Sequence, residues 1–139
     1  MTDRVTHPAL AELADRLTVD LTTRGRRSGR PLRVEIWWFH VDGRFVITGT
    51  PGPRHWYANV LADPHVTVHV DGLDLPAFAR PVTDPEARRR VFTDPRTRWY
   101  RDQADLDELV RTSPMIELEL PVPGGTQPRD EAADPTAPR

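Results

Sequence analysis

The stretch Leu32-Arg33-Val34-Glu35-Ile36-Trp37-Trp38-Phe39-His40-Val41, followed by Asp42-Gly43 and then Phe45-Val46-Ile47-Thr48-Gly49-Thr50, decides the fold. It is rich in β-branched and aromatic residues, which favour strands. Successive side chains on a strand point to opposite faces, so Leu32, Val34, Ile36 and Trp38 share one face. Arg33, Glu35, Trp37 and Phe39 share the other, which passes from charged to aromatic. Asp-Gly between two such runs signals a tight hairpin, because the favoured two-residue turn needs positive φ at both positions. The reading is therefore two antiparallel strands, with Pro51-Gly52-Pro53 breaking regular structure after the second. One face of the aromatic run belongs to the core. The other either lines a pocket for a flat ligand or, more plainly, is core as well.

Working outward, Val19 to Thr23 reads as a strand entering the turn Gly25-Arg26-Arg27-Ser28-Gly29. His55 to Ala62 forms a short helix that Asp63-Pro64 ends, since the residue before proline avoids helical geometry. His65 to Asp71 alternates, with Val66, Val68 and Val70 inward and His65, Thr67, His69 and Asp71 outward. Leu75 to Val82 is a further strand in which Pro76 marks a bulge or an edge. Asp84 caps a helix running to Thr93, with Pro85 at its first position. Arg96 to Thr112 reads as a second helix carrying the stripe Leu106, Leu109 and Val110, and Pro114 to Leu120 is the last strand. Pro8 to Leu17 has helical spacing as well. About six strands with inserted helices, joined by hairpins, favour a mainly β, antiparallel barrel over a doubly wound sheet. Residues 1–120 make one domain. From Pro121 the chain is Pro-, Gly- and Asp-rich with nothing to bury, and 121–139 is expected to be a disordered tail.

The chain has 139 residues. A domain of this size hides about two-thirds of its unfolded surface, enough for one core. It has no cysteine, which excludes disulfides and thiolate metal sites. No apolar run reaches the ~20 residues needed to cross a bilayer, and no secretory leader is visible. No integral membrane segment and a cytoplasmic location are the expectations. All 19 basic residues are arginine, a bias that a GC-rich source alone explains. The formal net charge of -2 gives no global field for nucleic acid. Locally, however, Arg24, Arg26, Arg27, Arg30 and Arg33 cluster with no acid among them, while the acids gather from Asp102 to Glu119 and in the tail. A local basic site on a mildly acidic protein suits a small anionic ligand rather than a polymer.

Two segments carry candidate chemistry. The first is Leu21-Thr22-Thr23-Arg24-Gly25-Arg26-Arg27-Ser28-Gly29-Arg30-Pro31, where a strand runs into a turn with glycines, a hydroxyl and guanidiniums. Glycines let backbone N–H groups approach an anion, and arginines offer paired donors to phosphate or carboxylate. Arg26, Arg27, Ser28 and Arg33 are the candidates here; a solvated basic hairpin is the plain alternative. No aromatic interleaves with these arginines, which speaks against RNA. The second runs from Thr48 through Gly49-Thr50-Pro51-Gly52-Pro53-Arg54-His55-Trp56-Tyr57-Ala58-Asn59. A helix N-terminus offers free N–H groups to an anion, with Thr48, Thr50, Arg54, His55, Trp56 and Asn59 around it. Trp56 equally reads as core and Asn59 as a brace for the loop. His65 and His69 fall ~13 Å apart along a strand, too far to share a metal, so no metal site is expected.

In this order and spacing the two segments resemble the deazaflavin-dependent nitroreductase family. Its pattern is Leu-Thr-Thr-x-Gly-Arg-(Arg/Lys)-(Ser/Thr)-Gly-x-Pro, a hairpin, a Gly-rich loop, and Trp-Tyr-x-Asn-Leu-x-Ala-x-Pro-x-Val. Here these are Leu21 to Pro31 and Trp56-Tyr57-Ala58-Asn59-Val60-Leu61-Ala62-Asp63-Pro64-His65-Val66. The likeness continues through Asp84-Pro85-Glu86-Ala87-Arg88 and the closing strand, over residues 17 to 121. It implies a split β-barrel like that of flavin reductases and the cofactor F420, a deazaflavin with a phosphate and a glutamate tail. It also implies that Arg26, Arg27 and Ser28, with Thr50, Trp56 and Asn59, hold the anionic arm. The chain departs from the family in reading Thr50-Pro51-Gly52-Pro53 where Ser-Lys-Gly-Gly is usual, which removes a cation, and in placing Leu32 before Arg33 after the proline.

The implied activity is hydride transfer from reduced F420 to a small organic acceptor such as a quinone, a nitro compound or an activated alkene, with the protein orienting the ring and excluding water. Donors near the ring are the backbone from Thr48 to Thr50 or Tyr57, and Trp99 and Tyr100 are candidates to border the acceptor pocket. FMN is the alternative cofactor, and a non-catalytic binding protein for such a ligand on the same barrel is the alternative function. The sequence does not set the oligomeric state; barrels of this type often resemble dimers that build the site at the interface, so a homodimer is one assembly the resemblance allows.

Overall fold

The computed structural model describes residues 17–120. The tail from Pro121 and, but for Leu17, the helix expected from Pro8 lie outside the described residues. The strands are β1 (Thr18–Arg24), β2 (Pro31–Val41), β3 (Arg44–Thr48), β4 (His65–Val70), β5 (Leu73–Pro81) and β6 (Met115–Glu119). They close an antiparallel barrel in the order β1-β2-β3-β6-β5-β4. Asp42 and Gly43 turn β2 into β3 with φ of 53° and 76°, the left-handed pair that the expected hairpin requires. Asp71 and Gly72 repeat the device between β4 and β5, with φ of 52° and 77°.

Alternation fills the barrel. Val19 and Leu21 of β1, Val66, Val68 and Val70 of β4, Ala77 and Ala79 of β5, and Ile116 and Leu118 of β6 are buried together. Trp38 stacks on Phe45 at 4.3 Å among them. One end of this core is covered by helix α1 (His55–Ala62), which contributes Trp56 and Val60. A second apolar layer forms outside β2 and β3, where Phe39, Val41 and Val46 meet helices α2 (Pro85–Thr93), α3 (Arg98–Gln103) and α4 (Leu106–Thr112) through Val91, Phe92, Tyr100 and Leu109. Both faces of the Trp37-Trp38-Phe39 run are therefore covered, though Trp37 only in part.

The barrel wall is not complete along β2. This strand has 11 residues and β3 only 5. The β2–β3 pairing runs from Trp38↔Ile47 to Val41↔Arg44, so β2 from Pro31 to Trp37 has a paired edge toward β1 and an open edge on the other side. Pro51 and Pro53 have no N–H to give a ladder, and Gly52 adopts φ 132°, so the chain swings out of the sheet after Thr48. This corrects one expectation: Leu32 and Val34 share the face of Ile36 and Trp38, yet remain 48% and 37% exposed because the opposing wall has ended. Pro76 sits where β5 has β4 on one side and no β6 partner, since the β5–β6 register begins at Phe78. It is locally an edge position.

A second correction concerns the helix expected from Arg96 to Thr112. It is three pieces: a 3₁₀ turn at Pro95–Thr97, then α3, then α4. The break comes at Ala104, extended at φ -153°, because the Asp105 side chain accepts from the Asp107 N–H at 3.1 Å and starts a new helix. Asp84 caps α2 as expected, accepting from Ala87 N–H at 2.9 Å.

These helices are tied to the barrel by Arg88, which is buried. Its guanidinium donates to three carbonyls: Val110 (2.6 Å) at the end of α4, Val82 (2.8 Å) after β5, and Ser113 (2.5 Å) before β6. Burial holds its pKa below the ordinary arginine value. Arg88→Met leaves those carbonyls without donors, at about 1–3 kcal/mol for each buried group left unpaired. Urea unfolding should show a loss of about 3 kcal/mol or more; an unchanged midpoint and slope would show that the guanidinium is not the organiser.

Candidate functional site

The open edge of β2 forms one wall of a cleft of about 470 Å³. Val34 to Trp37 line that wall, and Thr48, Gly49, Thr50 and Arg54 line the wall opposite. Trp56 and, from α3, Trp99 and Tyr100 complete it. The aromatic side is an edge-on cluster: Trp37 lies 5.3 Å from Trp99 and 6.0 Å from Tyr100 between ring centroids, a geometry that pairs ring edges with ring faces. Trp99 is half-exposed, while Trp56 and Tyr100 are buried.

Thr48, the last residue of β3, is fixed from both ends. Its Oγ1 donates to the Pro114 carbonyl at 2.6 Å, and its carbonyl accepts from the Tyr100 hydroxyl at 3.4 Å. Burial pushes the Tyr100 phenol up to about 12, against a partial pull downward from the nearby Arg54 charge. The cleft thus contains a phenol that keeps its proton throughout the neutral range.

Arg54 folds back on its own loop. Nη2 donates to the Thr50 carbonyl (3.0 Å) and Oγ1 (3.1 Å), and Nη1 to the Gly52 carbonyl (3.1 Å). Gly49 allows the approach: a Cβ there would lie 3.1 Å from Arg54 Nη2. Arg54 is also the residue before α1, and that helix has no side-chain cap and no acid in its first turn. α2 and α4 both begin under an aspartate that accepts from their N–H groups. The first N–H groups of α1 thus lack the side-chain acceptor those two helices have, and its positive dipole end is uncompensated.

Against that uncapped end lies the β1–β2 hairpin. Its tip is closed by Gly25 N–H to the Arg30 carbonyl (2.8 Å) and by Arg30 N–H to Ser28 Oγ (3.1 Å). A Cβ on Gly25 would stand 2.7 Å from that Ser28 oxygen, which is why glycine occupies the position. Buried Asn59 of α1 docks the tip: its Oδ1 accepts from the main-chain N–H (3.1 Å) and Nη1 (2.8 Å) of Arg26, and its Nδ2 donates to Thr23 Oγ1 (3.1 Å). Arg26 Nη2 also reaches His55 Nδ1 at 3.4 Å. Arg24 pairs with Asp63 at 3.2 Å. The side chains of Arg27 and Arg30 are exposed and have no partner among the described residues.

The residues expected from the sequence therefore fall into three places. Thr48, Thr50, Arg54 and Trp56 line the cleft. Arg26, Arg27, Ser28, His55 and Asn59 form the adjoining junction of hairpin and α1. Arg33 belongs to neither, because it pairs with Asp20 at 2.7 Å and borders a separate cleft of about 310 Å³ with His69 and Asp74. Within the site, Ser28 and Asn59 spend their polar atoms on holding the loop. Trp99 and Tyr100 do border the cleft, whereas Tyr57 does not line it. Sequence reasoning missed Glu35 as a lining residue; its alternation with Trp37 was the available signal.

A closed antiparallel barrel, opened along one strand edge with a ligand-sized cleft in the opening, has the architecture of the split-barrel cofactor-binding oxidoreductases. A protein of the pyridoxinephosphate oxidase family from Clostridium acetobutylicum shares this fold at TM-score 0.58 and 13% identity, over 81% of each chain. Nearer in sequence is an F420-H2 dependent reductase (FDR-A), at TM-score 0.54 and 28% identity, covering 75% of this chain and 95% of that one. A structure described as a domain-swapped dimer matches at TM-score 0.56 and 27% identity, covering 76% and 81%. The family model for F420H(2)-dependent quinone reductases matches residues 9–113. The chain belongs to that family and is an F420-dependent reductase.

Tyr100 supplies a pH test of the site's burial. Its folded pKa, about 12, lies above the ordinary tyrosine value of 10.0, so its contribution to stability is complete below pH 10 and is lost as pH rises to about 12. The stability difference between the wild type and Tyr100→Phe should be flat below pH 10 and shrink or reverse above it. A difference independent of pH up to 12 would place the phenol in water.

Proposed function

We propose that the chain transfers a hydride from reduced F420 to a flat, uncharged acceptor of the quinone class, with the ring and acceptor in the cleft and the anionic arm on the hairpin–α1 junction. The observation that carries this is one of adjacency. The open β2 edge with its aromatic wall lies beside an uncapped helix N-terminus, whose His55 meets Arg26 of the hairpin that also carries the exposed Arg27 and Arg30. The two halves suit the two halves of the cofactor. Free N–H groups and guanidiniums suit phosphate and carboxylate oxygens, while unpaired strand amides and indoles suit the edge and face of a planar ring.

When bound, reduced F420 supplies the hydride. The protein's own part is binding, orientation and exclusion of water. Arg27 and Arg30 hold the arm from outside, and Arg26, clamped by Asn59, holds the loop that presents them. Trp37 and Trp99 form the wall against which an acceptor ring packs. Tyr100, protonated at neutral pH, keeps its proton at Oη on the Thr48 carbonyl and so holds the end of β3 that forms one wall of the cleft. No side chain acts as a nucleophile.

The direct assay is oxidation of reduced F420 with 2-methyl-1,4-naphthoquinone as acceptor, followed by F420 absorbance. Sustained turnover is expected, and its absence over a range of quinones contradicts the reading. Arg27→Ala removes a charge-assisted contact worth about 1.5–3 kcal/mol without disturbing any bond within the loop, so KM for F420 should rise about tenfold or more with kcat little changed. An unaltered KM would take Arg27 out of the site.

A further inference from the structure

Among the described residues, two charged side chains line the cleft: Glu35 on the open β2 edge and Arg54 on the opposite wall. They are not equivalent. Arg54 is wrapped in loop oxygens from Thr50, Gly52 and Pro53, so its donors are already engaged. Glu35 is exposed and makes no ion pair or hydrogen bond among the described residues. The basic residue nearest to it on its own face of β2 is Arg33, and that guanidinium is held by Asp20 at 2.7 Å. Asp20 is also the cross-strand partner of Glu35, so a second acid rather than a counter-charge stands beside it. The carboxylate has no ion-pair partner among the described residues and stands next to the indoles that wall the acceptor space, while the Arg54 charge, held by neutral oxygens, stays on the opposite wall.

We infer that Glu35 selects acceptors by charge: its carboxylate at the mouth of the cleft disfavours anionic acceptors and admits neutral ones. This rests on the reading of the cleft as the acceptor pocket. The effect is Coulombic and acts through a hydrated opening, where a like charge several ångströms away changes an equilibrium by about threefold to tenfold. It is screened by salt.

The test needs no cofactor. Trp37, Trp56 and Trp99 line the cleft, so quenching of intrinsic fluorescence reports its occupancy. The chain has no cysteine and no lysine, which removes the thiol and ε-amine adducts that quinones form. The full chain is titrated with 2-methyl-1,4-naphthoquinone and, separately, with 1,4-naphthoquinone-2-sulfonate, using free tryptophan amide to correct for absorption. The wild type should bind the sulfonate more weakly than the neutral quinone, and added salt should narrow the ratio. Glu35→Gln should narrow the ratio about threefold to tenfold through tighter sulfonate binding alone, and Glu35→Arg should narrow it further or invert it. Saturable binding of the neutral quinone with the same ratio in all three proteins overturns the charge selection and leaves the acceptor pocket standing. A ratio that changes only through weaker neutral binding overturns it too. If neither quinone quenches saturably in the wild type, the charge selection and the acceptor reading fall together.

Discussion

Two prolines end a strand early, and the site is built in the gap. Pro51 and Pro53 cannot donate to a ladder, so β3 stops at Thr48 while β2 runs back to Pro31. An unpaired strand edge is ordinarily a liability, because its free N–H and C=O groups invite another strand. Here the edge is flanked by α3 on one side and by the Gly49–Arg54 loop on the other, which leaves room for a small planar molecule. The β3 end that defines the gap is itself held, through Thr48, by the Pro114 carbonyl and the Tyr100 hydroxyl.

Polar contacts, rather than apolar area, set the position of the functional parts. The apolar layers fix the barrel and its helices. The hairpin, however, is located on α1 by one buried amide, Asn59, and the helical connection is located on the barrel by one buried guanidinium, Arg88. Each meets several partners at once, so moving either leaves buried groups unpaired, and that cost is what makes the geometry definite. The consequence for charge is uneven. Arg26, Arg33 and Arg54 are engaged within the chain, whereas the exposed guanidiniums of Arg27 and Arg30 have no partner among the described residues.

Much of this was legible in the sequence, because local chemistry and tertiary structure agree there. Asp42-Gly43, the alternation from His65 to Val70, and Asp84-Pro85 each specify a turn, a half-buried strand and a helix start by short-range rules. The misreadings have a common origin in long-range geometry. Leu32 and Val34 carry the core pattern, but whether a wall faces them depends on where β3 ends. Arg33 belongs to the basic cluster in sequence, but the β1–β2 register sets it beside Asp20. The break at Ala104 had a local signal in Asp105, three residues before Glu108, that the run of helix-forming residues obscured. Arg88 and Glu35 matter through partners, or the lack of them, on other elements.

The central claim is that the split edge and the arginine hairpin together make one site for a deazaflavin with an anionic arm. The measurement that bears on it most directly is a fluorescence titration of the purified protein with oxidised F420, with FMN run alongside. Saturable F420 binding, at least about tenfold tighter than FMN as one additional charge-assisted contact on the longer arm would give, is the predicted result. Preference for FMN, or binding of neither, would contradict it.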